Sequence, residues 1–169
     1  MILPGKIISG GQTGVDRAAL DFAIERGIAW GGWAPNGWRS EDGTIPVMYR
    51  EHMREHDSPE YLPRTLENVR DGDATLIVVA HHLRTVRGGL VGGTARTAGY
   101  ANREEKPLLV VDIERDGRHD SRDVGRIRSW WRNVVNMRNG EILNIAGPRE
   151  SKAPGIYAAT MALLREVWP

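Results

Sequence analysis

The chain contains no cysteine among its 169 residues, and this absence removes several kinds of chemistry. Disulfide frameworks, iron–sulfur clusters, thiolate catalysis and most structural zinc sites all depend on cysteine. The five histidines and the carboxylates remain as the expected metal ligands. His81 and His82 are adjacent at the end of a predicted strand, where neighbouring side chains point to opposite sides. We therefore expect no metal site there.

The sequence also lacks a charge excess and a long apolar run. Lysine and arginine number 23 and the acidic residues 22, so the formal net charge is +1. A nearly neutral protein does not attract polyanions, so we expect neither nucleic acid nor a membrane as a partner. The longest apolar run, residues 76–80, is far shorter than the roughly 18 residues that span a bilayer.

Length and the N-terminal residues set two further expectations. A chain of 169 residues with 40% hydrophobic residues fits one globular domain, which we expect to cover residues 1–169. The first residues show neither a secretory signal nor a targeting presequence. We therefore expect the protein to be cytoplasmic.

Short apolar runs alternate with helical patterns along the chain. The expected strands are residues 6–9, 74–79, 108–112 and 141–146. The expected helices are residues 15–26, 61–70, 94–105, 123–137 and 155–167. This alternation predicts an α/β fold, a Rossmann-like doubly wound and mainly parallel sheet with helices on both faces. Residues 31–58 show no clear periodicity and are expected to form a long loop.

Glycine is abundant, at 20 of 169 residues, and much of it lies where a predicted strand meets a helix. Three such turns cover residues 10–14, 88–94 and 147–151. Glycine lets the backbone approach an anion, and helix N-termini favour phosphate groups. All three turns should lie at the carboxyl edge of the sheet, where ligands of such folds bind. The turns supply these candidate binding residues: Gly10, Gly11, Gln12, Thr13, Gly14, Asp16, Gly92, Gly93, Thr94, Arg149, Glu150 and Ser151.

Charged and aromatic residues near the turns suggest what the pocket holds. Arg39 and Arg64 join Arg149 as candidate ligand-binding cations, which favours an anionic, phosphorylated small molecule. Asp16 also suits the dipole of the first helix, and Glu150 would order Arg149. Trp38 is the candidate to stack on a planar ring. On the fourth helix, an apolar patch predicts an interface between subunits. Its members are Val124, Ile127, Trp130 and Trp131.

Several blocks together resemble a known family. They are SGGQTGVDRAALDFA, APNGWRSEDGTIP, RTLENVRDGDATLIV, the GGT at 92–94, KPLLVVD and NIAGPRESKAPGIY. The sequence is similar, over nearly its whole length, to the molybdenum-cofactor carrier family, a circularly permuted, YpsA-like branch of the SLOG nucleotide-binding superfamily. This resemblance implies a Rossmann-like homo-oligomer, a dimer or tetramer, that binds molybdopterin through its pterin and phosphate without turnover. It also implies molybdoenzymes as partners that receive the cofactor.

Two other functions stay open. Unpermuted SLOG relatives include phosphoribohydrolases that act on nucleoside monophosphates and carry a PGGxGTxxE motif. This sequence keeps Gly92, Gly93 and Thr94 but has Thr97 at the position of the glutamate. Threonine cannot serve as a carboxylate base, so we expect binding without catalysis and assign no catalytic residue. A sensor of ADP-ribose-like nucleotide derivatives would use the same pocket.

Overall fold

The computed structural model describes residues 2–114 and 116–169. The strands are β1 (Lys6–Ile8), β2 (Ala29–Ala34), β3 (Arg39–Ser40), β4 (Gly43–Thr44), β5 (Met53–Glu55), β6 (Ala74–Ala80), β7 (Leu108–Ile113) and β8 (Ile142–Ala146). The helices are α1 (Val15–Glu25), α2 (Val47–Arg50), α3 (Tyr61–Asp71), α4 (Gly92–Arg103), α5 (Ser121–Arg138) and α6 (Ile156–Val167). Short 3-10 turns occupy Asn36–Trp38 and His81–Leu83.

The main sheet has six strands in the order β5-β2-β1-β8-β6-β7. Every pair in it is parallel. β8, the last strand of the chain, lies between β1 and β6, where Asn144 is in register with Ile8 on one side and with Thr75 on the other. The predicted α/β fold with a parallel sheet is confirmed.

Helices cover the sheet in two groups. α1 packs against α6 and α6 against α5, whereas α3 packs against α4. The largest apolar cluster joins residues of α1, α5 and α6 to the strands. β6 is buried along its whole length, as expected of a parallel strand that is covered on both faces. The predicted strands and helices are therefore present, with bounds that differ by a few residues at most.

The expectation of a long loop over residues 31–58 is wrong. This stretch contains most of β2, the hairpin of β3 and β4, α2 and β5. A Cβ at Gly32 would collide with the carbonyl oxygen of Ser9, and one at Gly31 with that of His52. Glycine is needed at both places for close strand packing, yet glycine weakens the sequence signal of a strand.

The expected interface patch on α5 is also wrong in its main part. Val124, Ile127 and Trp131 are at most 5% exposed and pack in the protein's own core with residues of α6. Trp130 is half-buried and packs against the same core. These four residues pack inside the subunit, so they do not support an oligomer interface.

No helix in the described ranges combines the length and apolar character that crossing a bilayer requires.

Candidate ligand-binding site

A cavity opens at the carboxyl edge of the central strands, beside the ends of β1 and β8. We call this the inner cavity. A neighbouring cavity, described below, shares three of its lining residues, Gly93, Gly147 and Arg149. Six of the other lining residues, which belong to the inner cavity alone, carry the argument. The six are Gly10, Gln12, Asp16, Arg64, Thr97 and Asn144. Its volume is about 100 Å³, so it accommodates a small group or the edge of a ring rather than a whole nucleotide.

A buried ion pair lies in the wall of the inner cavity. The Nη1 atom of Arg64 is 3.6 Å from Oδ2 of Asp16, and the same carboxylate oxygen accepts a hydrogen bond from the backbone N–H of Gln12 at 3.3 Å. Burial raises the pKa of Asp16, and the charge of Arg64 opposes that change. Burial lowers the pKa of Arg64, but a guanidinium stays protonated in proteins. The cavity therefore holds a fixed cation beside a carboxylate.

Gly10 makes room for this pair. A Cβ at residue 10 would overlap the guanidinium group of Arg64 and would also approach the carboxylate of Asp16. The glycine is required because another side chain passes through the space that its own side chain would fill. The glycine of the first turn thus positions Arg64.

Two polar atoms of the inner cavity are buried without a hydrogen-bond partner among the described residues: Oε1 of Gln12 and Nε of Arg64. Gln12 is 2% exposed, and its Nε2 donates to the carbonyl oxygen of Arg39 at 2.7 Å. A buried unmet polar group costs about 1–3 kcal/mol. Both atoms belong to residues that line the cavity, but the atoms themselves are fully buried.

Three arginines surround one aromatic ring. The guanidinium carbons of Arg149, Arg64 and Arg39 lie 4.3, 5.9 and 6.0 Å from the centroid of Tyr61. Within residues 2–114 and 116–169, neither Arg39 nor Arg149 takes part in an ion pair. The three predicted cations are therefore close to one ring. Arg39 lines neither cavity, and its Nη1 donates to the carbonyl oxygen of Pro59 at 3.4 Å, so Arg149 is the one of the three that remains available to an anion in the cavities.

An outer cavity of about 370 Å³ adjoins the inner one. Gly93, Gly147 and Arg149 line both. The outer cavity is also bordered by Leu83, Val91, Gly92, Thr94, Pro148 and Lys152. Among the described residues, no side chain caps the N-terminus of α4, and the first residues of this helix, Gly92, Gly93 and Thr94, line the outer cavity. The predicted second turn thus supplies an anion-binding helix end beside Arg149 and Lys152.

Thr13 and Ser151 make their hydrogen bonds within the protein. The hydroxyl of Thr13 and the hydroxyl of Ser151 both donate to the carboxylate of Glu41, and the backbone N–H of Ser151 donates to it at 3.2 Å. Burial acts to raise the pKa of Glu41, but these hydrogen bonds lower it on balance. The hairpin thus places its own carboxylate where the sequence suggests a ligand phosphate.

Glu150 does not order Arg149 as expected, because its carboxylate accepts the N–H groups of Gly155 at 2.5 Å and Tyr157 at 3.1 Å. The N-terminus of α6 is therefore already occupied. Gly11 has a φ of +70° and lies against Ile45 and Met53. Gly14, with a φ of +76°, lies against the backbone of residues 148–150. These two glycines shape the loops and do not line either cavity.

Trp38 does not face the cavities. Its ring packs beside a second apolar cluster that contains Ile45 and Tyr49, and the guanidinium carbon of Arg50 lies 5.4 Å from the centroid of that ring. The proposed ring-stacking role of Trp38 is therefore wrong. In the described parts of the chain, no group of three or more His, Asp or Glu side chains is arranged to hold a metal ion.

Sequence reasoning missed Tyr61, Asn144 and Lys152. Asn144 is a polar residue within the otherwise apolar strand β8, which is a usable signal. Lys152 directly follows the third turn and could have been included with it. Tyr61 begins α3, and nothing in its local sequence marks it, because its position depends on how α3 packs on the sheet.

Together, the parallel sheet and the paired cavities define a Rossmann-like ligand-binding protein. Residues 7–168 match the model of the circularly permutated YpsA SLOG family, and the chain belongs to this family. It is 42% identical to a protein from Syntrophus aciditrophicus SB, named "Putative molybdenum carrier protein" in its crystal structure. The similarity covers 98% of this chain and 97% of that chain, with a TM-score of 0.84. A comparison with curated proteins finds no match.

Proposed function

We propose that the protein is a non-catalytic carrier of a phosphorylated small molecule, namely the molybdenum cofactor. The observation that carries this proposal is the pair of adjoining cavities. The outer one offers Arg149, Lys152 and the uncapped N-terminus of α4 to a phosphate. The inner one is lined by the polar residues Gln12, Arg64 and Asn144. Family membership and the name of the 42% identical protein support a carrier role.

The residues fit the two parts of molybdopterin that a protein would recognise. A dianionic phosphate suits a site with two cations and free backbone N–H groups. The edge of a flat, polar pterin ring suits the inner cavity, whose walls mix donors and acceptors. The ring edge would reach this cavity past Gly93 and Gly147, two residues without side chains that line both cavities.

Binding is favoured over hydrolysis because of Thr97. Its side chain lines the inner cavity, and its hydroxyl donates to the carbonyl oxygen of Gly93 at 3.0 Å. Asp16 is the carboxylate among the residues that line this cavity, and it is paired with Arg64. Thr97 supplies no carboxylate, and that of Asp16 is engaged by Arg64 and by the backbone N–H of Gln12, so the geometry supports binding without bond cleavage.

Native mass spectrometry of protein purified from a host that makes molybdenum cofactor would test the proposal. We expect a co-purified mass equal to a molybdopterin species, and we expect Arg149→Ala to lose it. Arg96→Ala is the matched control, because Arg96 is an exposed arginine of α4 that lines neither cavity. A co-purified ADP-ribose-like nucleotide would support the sensor function instead, and retention of the ligand by Arg149→Ala would refute the phosphate site.

We also propose, from family membership, that the protein acts in the cytoplasm as a homo-oligomer and transfers its ligand to molybdoenzymes. Since Val124, Ile127 and Trp131 of α5 are buried within the subunit, we expect another surface to supply the interface. Light scattering at several concentrations should give a mass of at least twice 18.8 kDa. A constant monomer mass would contradict this proposal.

A further inference from the structure

A tight turn between β6 and α4 presents an apolar side chain to solvent. We call residues 85–88 the exposed turn. The backbone N–H of Gly88 donates to the carbonyl oxygen of Thr85 at 2.8 Å, so Val86 and Arg87 lie at its tip. Val86 is fully exposed, and Arg87 is exposed as well. The turn therefore displays an apolar group and a cation side by side.

The exposed turn is fixed to the sheet by an arginine. Nε and Nη2 of Arg84 donate to the two carboxylate oxygens of Asp112 in β7, at 2.5 and 2.7 Å. Nη1 of Arg84 donates to the carbonyl oxygen of Gly88 at 2.8 Å. This arginine thus ties both ends of the exposed turn to β7. A turn that is ordered before it meets a partner loses little conformational entropy on binding.

A third cavity, of about 500 Å³, lies at the same end of the sheet. We call it the α6 cavity, because three alanines of that helix, Ala158, Ala159 and Ala162, line it. Ile113, which directly follows Asp112, also lines it. The ion pair of Arg84 with Asp112 therefore places the exposed turn beside this cavity. The α6 cavity shares no lining residue with the inner or the outer cavity.

The charges of the exposed turn and the α6 cavity are complementary. The charged residues that line the cavity are Glu114 and Asp116, and Asp116 is paired with Arg118 at 2.6 Å. In the ranges that the structure describes, neither Glu114 nor Arg87 takes part in an ion pair. An apolar side chain beside a cation thus matches an apolar cavity beside a carboxylate.

We propose that the exposed turn of one copy of the protein inserts into the α6 cavity of a second copy, with Val86 against the alanines of α6 and Arg87 paired with Glu114. A second copy is the matching partner because the chain itself carries both complementary surfaces. Since they lie side by side, two copies that face each other can make both contacts about a twofold axis. The inference rests on the proposal of a homo-oligomer and names the surface that forms it.

Sedimentation equilibrium of the full chain tests this inference. Val86→Asp places a carboxylate in the apolar cavity, and Ala158→Gln fills the cavity, so each should weaken association at least about tenfold. Val47→Asp is the matched control, because Val47 is 74% exposed and lines none of the three cavities. It should leave association unchanged. Thermal unfolding of each variant shows whether it has folded.

Two rescue experiments separate a contact between copies from damage to the subunit. Val86→Asp retains an intact cavity and Ala158→Gln retains an intact turn, so a mixture of the two variants forms one natural contact per pair. The mixture should associate more tightly than either variant alone. Arg87→Glu should also weaken association, and the addition of Glu114→Arg should restore it.

The outcomes distinguish this inference from the proposed function. Association that is unchanged in folded Val86→Asp and Ala158→Gln would overturn the inference and leave the homo-oligomer standing. Failure of both rescue experiments would overturn it too. A natural protein that stays monomeric at every concentration would refute this surface and the oligomer together. The carrier function is judged separately, by the ligand that Arg149→Ala loses or retains.

Discussion

Arg149 lies over the ring of Tyr61, with its guanidinium carbon 4.3 Å from the ring centroid. The contact joins the loop after β8 to the first turn of α3, and both residues line the inner cavity. Stacking uses the face of the guanidinium and leaves its N–H groups at the edge free to donate. Tyr61 therefore holds Arg149 in position for an anion without using its hydrogen-bonding capacity.

This contact predicts different effects for two substitutions of Tyr61. Tyr61→Phe keeps the ring and should leave ligand affinity within about twofold of the natural protein. Tyr61→Leu removes the ring, which is worth about 0.5–2 kcal/mol as a partner of the cation, so affinity should fall roughly threefold to thirtyfold. Calorimetry with the phosphorylated ligand measures both. Equal losses in the two variants would show that the tyrosine hydroxyl, and not the ring, is the important group.

Two glycine substitutions should separate ligand binding from folding. A Cβ at Gly93 meets nothing within 4 Å, and Gly93 lines both cavities. Gly93→Val should therefore fold, with a loss of about 1 kcal/mol or less, while its side chain blocks the passage and lowers affinity at least tenfold. Affinity unchanged in a folded Gly93→Val protein would place the site elsewhere.

Gly11→Val is the contrasting variant. Gly11 has a φ of +70°, and a Cβ there would press on Ile45 and Met53. The substitution should lower the free energy of unfolding by about 2 kcal/mol or more, through backbone strain and overpacking. Thermal unfolding measures this effect. A fully stable Gly11→Val protein would contradict the assigned structural role of this turn.

Thr97 predicts that nucleoside monophosphates are not hydrolysed. The loss of a general acid or base typically costs 10²- to 10⁴-fold in rate, and no free carboxylate among the residues lining the inner cavity replaces it. Incubation with AMP should release no adenine above the buffer control. Steady release that Asp16→Asn abolishes would establish an enzyme in place of a carrier.

The ion pair between Arg17 of α1 and Asp42 of the hairpin predicts that the stability of the protein depends on pH. Hydrogen bonds from Arg17 lower the pKa of Asp42 from 3.8 to about 2. Because the pKa is lower in the folded state, the stabilisation is complete above pH 3.8 and is lost as the pH falls through about 2. The pair is partly exposed, so its contribution is at most about 1 kcal/mol.

Denaturant unfolding from pH 6 to pH 2 checks this prediction. The difference in unfolding free energy between the natural protein and Asp42→Asn should be largest at pH 5–6 and should shrink toward pH 2. Glu51→Gln is the control, since Glu51 is an exposed carboxylate outside the hairpin. A difference that stays constant over the whole range would show that Asp42 acts through something other than its charge.

The sequence predicts the parts of this protein whose signal is local. The apolar run of β6 indicates a buried parallel strand, and the glycine turns indicate which loops meet at the carboxyl edge. β2 is not recognised in the sequence because Gly31 and Gly32 weaken its strand pattern. Both glycines are required by close contact with the backbones of residues 52 and 9. Such contacts are visible only in the folded protein.

The candidate site shows the same difference between residues with a local sequence signal and residues whose roles depend on contacts in the folded protein. Gln12, Asp16 and Arg149 lie together in the inner cavity, as their positions after β1 and β8 suggest, and Arg64 joins them from α3. The partner of Thr13 and Ser151 is not predictable in this way, because Glu41 is 28 residues from one and 110 from the other in the sequence. Glu41 joins the hairpin to the loops of Thr13 and Ser151 because the folded chain brings these three segments together.

The position of β8 has a consequence for synthesis on the ribosome. Residues 142–146 follow all other strands in the chain, yet they form the middle of the sheet. β1 can pair with β2, and β6 with β7, as soon as each pair has emerged, but these halves have no common neighbour until β8 arrives. Two apolar strand edges are exposed to aggregation during that interval. Since Gly147 and Arg149 emerge later still, the nascent chain has no complete cavity, and ligand capture must follow translation of nearly the whole domain.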